Sequence, residues 1–218
     1  MDADLLNEKQ GVDDVGLRGS NQSGMRDHNE RLVLSLVRQQ DGLAKSDIAR
    51  ITGLSAQTVS VIMRGLETDG LLLRGAPQRG RIGQPSIPMH LNADGAFFLG
   101  LKIGRRSVDL TLVDFRGQVK SLERRVYRYP TPDAVMAFVR DVLPKMVGGL
   151  APDLRERISG LGVAMPFQLW NWVQFIGAPQ SEMDAWQSRD IQAELAAICG
   201  VPVFVQNDAT SACGAELV

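Results

Sequence analysis

The residues best suited to chemistry fall in four places along the 218-residue chain. Gln57, Thr58, Ser60 and Arg64 recur at helical spacing and can share one polar face. Gln and Arg make bidentate contacts with adenine and guanine edges, and Ser and Thr bond bases or phosphates. Ser55, just before them, can cap that helix, whose first N–H groups then face an anion such as a phosphate. Arg79, Arg81 and Gln84 follow, interleaved with Gly80, Gly83 and Pro85. Small residues there let a backbone approach a duplex, and Arg suits a narrow minor groove. Further on, Lys102, Arg105 and Arg106 surround Gly104, where cations can attract an anion. Asn207-Asp208 forms the fourth place: a carboxylate accepts from hydroxyls, and an amide both donates and accepts.

Regular elements must hold these residues. Asp27 followed by Glu30 is a helix-start signature, with Leu32, Val33, Leu36 and Val37 as an apolar stripe ended by Asp41-Gly42. A second helix is predicted over about 45–51, with Ile48 and Ala49 inward. Thr52-Gly53-Leu54-Ser55 reads as a tight turn, with Gly53 suited to positive φ. A third helix runs from Ser55 to about Thr68, burying Val59, Ile62, Met63 and Leu66 and stopped by Asp69-Gly70. Strands at 71–74 and 89–91 flank a Gly/Pro/Arg-rich loop. Two helices joined through a Gly turn can place the second in a DNA major groove, and the strand pair then makes a wing. The other reading of this region is a three-helix domain for protein contacts with a solvated Arg loop.

The composition changes near residue 92. Strands are predicted at 97–103, 108–114 and 119–127, a helix at about 133–147 and a strand at 158–164. A helix at about 188–199, a strand at 201–206 and a helix from Asp208 complete the chain. Three strands followed by alternating units indicate a mixed sheet covered by helices. Asn207 and Asp208 fall between a strand end and a helix start, where ligands gather in such sheets; helix capping is the other role open to them.

Bulk properties narrow the classes. The net charge of −1 carries no global sign of nucleic-acid binding, so charge is read locally. Residues 25–91 hold nine Lys/Arg against six Asp/Glu, a net of +3. Cys199 and Cys213 lack metal-ligand spacing and read as buried thiols in a reducing cytosol. No apolar run reaches the ~18 residues of a membrane span, and residues 1–24 read as an acidic, disordered leader. A cytoplasmic protein without membrane association is expected.

The stretch LAKSDIARITGLSAQTVSVIMRGLETDGLL, followed by RGRIGQPS, resembles the winged-helix domain of regulators in the ROK family (repressor, open reading frame, kinase). FLGLKIGRRSVDLTLVDFRGQV looks like that family's opening hairpin, and GVPVFVQNDATSACGAE like its Asn-Asp-Ala sugar segment. The resemblance covers residues 25–218. It implies an α+β winged helix-turn-helix domain (25–91) followed by the first lobe of an α/β actin-like, sugar-kinase fold (92–218). It also implies operator DNA as a partner, a sugar or sugar-derivative effector and a homodimer or higher homo-oligomer. By resemblance Asn207 and Asp208 are sugar-binding.

Three departures bear on activity. The family's kinases carry an Asp-x-Gly-x-Thr type motif where this chain has Lys102, Gly104 and Arg106, and an ammonium cannot coordinate Mg²⁺. Lys102 then reads as a structural charge snorkelling out of the hairpin, with an anion site as the alternative. Phe167 stands where the family usually has a glycine beside the sugar. The family's second lobe, with its remaining sugar residues, zinc motif and adenosine site, does not follow, and the chain reads as a fragment. The expectation is a regulator, a repressor in the family's manner, of carbohydrate uptake or metabolism genes, without catalytic residues, cofactor or metal. The alternatives are a sugar kinase with an accessory DNA-binding domain and an effector-free DNA-binding protein whose α/β part only dimerises.

Overall fold

The computed structural model describes residues 22–78 and 86–216. The first helix, α1 (Gln22–Gln39), begins upstream of Asp27. Asp27 and Glu30 therefore lie inside it, and Glu30 accepts a hydrogen bond from Arg26 Nε at 2.8 Å, an i,i+4 pair along the helix instead of a capping box. Most of the expected leader lies outside the described residues; 22–24 are helical. Val33, Leu36 and Val37 are buried, but Leu32 is exposed, because it sits one residue round the helix from Val33. A two-residue strand, β1 (Leu43–Ala44), leads into α2 (Lys45–Thr52) and α3 (Ala56–Thr68). Strands β2 (Leu72–Arg74) and β3 (Pro88–Leu91) complete an antiparallel sheet of order β1-β3-β2. Val59, Ile62, Met63 and Leu66 are buried as their spacing predicts and pack with Val33, Ile48, Leu72 and Met89 into one core.

The second part is a five-stranded mixed sheet of order β6-β5-β4-β7-β8. Strands β4 (Phe97–Ile103), β5 (Ser107–Asp114) and β6 (Val119–Val126) form an antiparallel meander. Helix α4 (Pro132–Gly148) follows, with the Thr131 hydroxyl accepting from Ala134 N at 3.2 Å and Pro132 in its first turn. A short α5 (Pro152–Arg155) leads to β7 (Ile158–Met165), parallel to β4. An aromatic-rich excursion contains a 3₁₀ turn at Leu169–Trp172, α6 (Val173–Ile176) and α7 (Gln180–Ser188). Then come α8 (Ile191–Cys199), β8 (Val203–Asn207), parallel to β7, and α9 (Asp208–Ala215). The helix expected over 188–199 is α8, which starts three residues later because Asp190 caps it by accepting from Ala193 N; α7, which ends at Ser188, was not expected.

Alternation along β4 and β5 gives the sheet two different faces. Leu99, Leu101, Ile103, Val108, Leu110 and Leu112 are buried in the same core as Val135, Met136, Phe138 and Val139 of α4. The opposite face carries Phe98, Gly100, Lys102, Asp109 and Thr111 and is open. There Gly100, Thr111, Gly162, Phe204 and Ser211 line a groove of about 400 Å³.

Residues 92–96 join the two parts without slack. Asn92 Nδ2 donates to Gly70 O at 2.7 Å, and Asn92 N to Leu71 O at 2.9 Å. A Cβ on Gly95 would fall 2.9 Å from Gly70 O and 3.1 Å from Leu71 Cα, so only glycine fits. Arg157 Nη1 donates to Gly95 O at 3.2 Å, reaching the joint from the start of β7.

Candidate nucleic-acid interface and ligand edge

The turn between α2 and α3 is fixed by its own chemistry. Gly53 takes φ +72 with its N–H on Ala49 O at 3.0 Å. Thr52 Oγ1 donates to Ile48 O at 2.7 Å and accepts from Leu54 N at 3.3 Å. Ser55 then caps α3, its hydroxyl accepting from Thr58 N at 3.0 Å and lying 2.8 Å from Thr58 Oγ1. Ser55 and Thr58 are therefore committed to each other and to shaping the helix start. Gln57 and Arg64 are exposed on the outer face of α3, and Ser60 is half-buried. Val61, 55% exposed, stands between them and gives that face an apolar contact of the kind a thymine methyl accepts.

The wing continues beyond β2 and β3. Gln78 and Ser86 pair through two backbone hydrogen bonds of 2.7 and 3.0 Å. Arg79, Arg81 and Gln84 lie outside the described residues. The base of the wing is braced on α3: Arg74 Nε and Nη2 grip the Glu67 carboxylate at 2.7–3.0 Å. That guanidinium holds the Glu67 carboxyl below its ordinary range.

At the far end of the chain, Asn207 sits level with Met165 where β8 and β7 end. Asn207 Oδ1 accepts from Ala209 N at 3.0 Å and Thr210 N at 3.2 Å, so it caps α9. Asp208 Oδ1 accepts from Ala209 N at 3.0 Å. Both side chains are half-buried at the strand edge. Asn207 Nδ2 and Asp208 Oδ2 have no hydrogen-bond partner among the described residues, so an amide donor and a carboxylate acceptor remain unused at this strand edge. Phe167 is 63% exposed beyond the end of β7. The next residue, Gln168, takes φ +55, the one positive-φ non-glycine among the described residues, and its side chain accepts from Asn171 Nδ2 at 2.9 Å.

The β4–β5 turn uses its cations locally. Arg105 lies over the Trp172 ring at 5.3 Å. Arg106 Nη1 donates to Arg128 O at 2.9 Å. The Tyr127 hydroxyl reaches Gly104 O at 2.7 Å and Ser107 O at 2.9 Å, pinning both sides of the turn. Burial, then the Asp109 charge, raises the Tyr127 pKa, so this hydroxyl stays a donor. Lys102 is exposed, cross-strand from Asp109. Arg124 pairs with Asp109 across the neighbouring strands, and this pair, the Arg105–Trp172 stack and the Tyr127 pin carry no local sequence signal, because each joins residues far apart in the chain.

The cysteines differ from expectation. Cys199 is half-buried and its thiol is pushed up to about 11 by burial, whereas Cys213 is exposed, since α9 turns that side outward. No described helix is long and apolar enough to cross a membrane.

The chain thus joins a winged helix through a tight linker to one α/β lobe. Residues 26–72 match the winged helix-turn-helix DNA-binding family and residues 98–218 match the ROK family. The chain belongs to the ROK family. It is 19% identical over 199 residues to a xylose repressor of Bacillus subtilis, covering 91% of this chain and 51% of that protein. It is 26% identical over 189 residues to a transcriptional regulator of Mycobacterium tuberculosis, covering 85% of this chain and 42% of that one. A crystal structure of a ROK family transcriptional regulator, a homolog of the E. coli MLC protein, superposes with a TM-score of 0.57 at 20% identity, over 84% of this chain and 46% of the other. The fold is thus shared. The chain spans about half the length of the curated relatives it matches.

Proposed function

We propose that this chain belongs to a sequence-specific transcriptional regulator that represses carbohydrate uptake or metabolism genes and acts in the cytoplasm. Residues 25–91 bind operator DNA, and residues 92–218 form the first part of a sugar-sensing domain without kinase activity. The protein pairs as a homodimer or higher homo-oligomer, because winged-helix readers bind paired half-sites. The observation that carries this reading is α3: a capped helix with a fully buried apolar stripe and an outward face of Gln57, Ser60, Val61 and Arg64. Arg79, Arg81 and Gln84 add wing contacts, while Ser55 and Thr58 contribute through the helix start. Asn207 and Asp208 contact sugar hydroxyls, a role compatible with the capping that fixes their orientation.

The sensing reading draws on the β4–β5 turn. A kinase needs hard oxygen ligands for Mg²⁺ beside the transferred phosphate. Here Lys102 supplies an ammonium, and Arg105 and Arg106 are spent on Trp172 and Arg128. Two assays on the whole protein test the proposal. Fluorescence anisotropy with a duplex from upstream of its own coding region should show saturable binding that survives competitor DNA. Coupled ADP release across a sugar panel should stay at background. Sugar-dependent turnover would instead establish a kinase with an accessory DNA-binding domain.

A further inference from the structure

The core of the winged helix is flanked by a half-buried residue from outside that domain. Phe115, well beyond the last strand of that domain, packs against the cluster that holds Val33, Ile48, Met63 and Met89. It is carried there by the turn between β5 and β6. That turn is stiff. Asp114 is buried, and its carboxylate accepts from Arg116 N at 2.9 Å and Gln118 N at 3.0 Å. Gly117 takes φ +81 and donates to Asp114 O at 2.8 Å. Unwinding the tip would strand a buried carboxylate.

The tip is also fastened to its neighbours. Arg116 Nε donates to Leu91 O at 2.8 Å, and Phe115 N to Ala93 O at 3.1 Å. On the sheet side, the Phe115 ring lies 6.4 Å from that of Phe98, tilted by 32°. Phe98 shares the open face of β4 with Gly100, which lines the groove. Thr111 of β5, in the same strand that delivers Phe115, lines it too.

The geometry points to the β5–β6 turn as a strut: Phe115 packs against the core of the DNA-binding domain and ties its packing to the β4–β5 strand pair that floors the groove. Close-packed interiors do not deform continuously, so a shift of that strand pair displaces Phe115 and with it α1 and α3. Groove occupancy and DNA binding are then coupled in both directions. This last consequence rests on the DNA-binding reading above; the strut itself does not.

Hydrogen–deuterium exchange on the full chain tests it, comparing wild type with Phe115→Ala and Phe115→Leu. Without any ligand, Phe115→Ala should speed exchange in α1 and α3 by about tenfold or more while α4 and β7 keep their protection. Phe115→Leu should keep most of the protection everywhere. With the duplex from its own upstream region, exchange in β5 should slow in wild type and not in Phe115→Ala. Unchanged α1 and α3 in Phe115→Ala, or equal loss across α4 and β7, overturns the strut. If the wild type fails to bind the duplex, the DNA-binding proposal falls, and the ligand-free comparison still decides the strut.

Discussion

Arg124 grips Asp109 through two hydrogen bonds, Nε to Oδ1 at 2.6 Å and Nη2 to Oδ2 at 2.9 Å, and Asp109 is also the cross-strand partner of Lys102. The three residues form a row across β4, β5 and β6 on the open face of the sheet. The single carboxylate in that row is already neutralised, and both flanking positions are cationic. Lys102→Asp would set two carboxylates opposite each other on adjacent strands. Like charges so placed cost up to about 1 kcal/mol. Urea unfolding at pH 7 should therefore give a lower midpoint for Lys102→Asp than for wild type, with Lys102→Gln in between. A Lys102→Asp chain as stable as wild type would contradict the row.

Base and backbone contacts should separate by their salt response. Arg79→Ala with Arg81→Ala should weaken duplex binding across sequences and lower the slope of log affinity against log salt by about 2. Arg64→Ala or Gln57→Ala should instead reduce the preference between related sites, by about 1–3 kcal/mol where the contact is bidentate. Anisotropy titrations at several salt concentrations, with cognate and scrambled duplexes, distinguish the two patterns.

Ser55 and Gly53 should cost stability for different reasons. Ser55→Ala removes the cap on α3 and should destabilise by about 1 kcal/mol. Gly53→Ala meets no neighbouring atom, so its cost is only that of an L-residue at φ +72, about 1–2 kcal/mol. Gly53→Asn should be milder, since Asn tolerates this region. Thermal unfolding of the three variants gives the comparison.

Acid should loosen the brace between α3 and the wing. Arg74 keeps Glu67 ionised to a lower pH in the folded chain than in the unfolded chain, whose carboxyl titrates near 4.5. The folded state thus binds fewer protons through this range, and the stabilisation is present in full above that pH. It fades as pH falls through the lower folded-state pKa. Glu67→Gln should melt below wild type at pH 7, and the two should converge as the pH falls below the lowered folded-state pKa of Glu67. A difference that persists at low pH would mean the side chain acts through packing instead.

The two thiols should react in order. At pH 8 the Cys199 thiol, pushed up to about 11, holds only about one part in a thousand as thiolate, and it is half-buried. Cys213 is exposed. Iodoacetamide followed by mass spectrometry should find Cys213 modified first, with Cys199 protected until the chain unfolds.

Much of the fold was legible because it follows local rules. The buried stripe of α3 repeats at helical spacing, Gly53 suits the one conformation that closes the turn, and the alternation in β4 and β5 assigns each residue a face. Asn207 and Asp208 were legible as a strand end and helix start. Other features depend on contacts that no short window contains. Phe115 lies beside Arg116 and Gly117 in a turn and looks like a surface residue, yet it packs, half-buried, against the core of the other domain. The start of α1 was hidden because Gln22, Ser23 and Gly24 carry no clear start pattern. Strand β1 is too short to show a period, and its register comes from β3. At the candidate site, the residue types were readable, but their engagement was not: the Ser55–Thr58 pair and the tethering of Arg106 are side-chain geometry.

Gly95 works as a spacer of fixed length. Because it lies against the backbone of Gly70 and Leu71, a side chain at Gly95 would force the joint from Asn92 to Ala96 away from the winged helix. In the homodimer proposed above, the placement of each α3 relative to its own α/β part would therefore be set within each chain and not by the DNA. Such a reader would act as a ruler, intolerant of a base pair added or removed between half-sites.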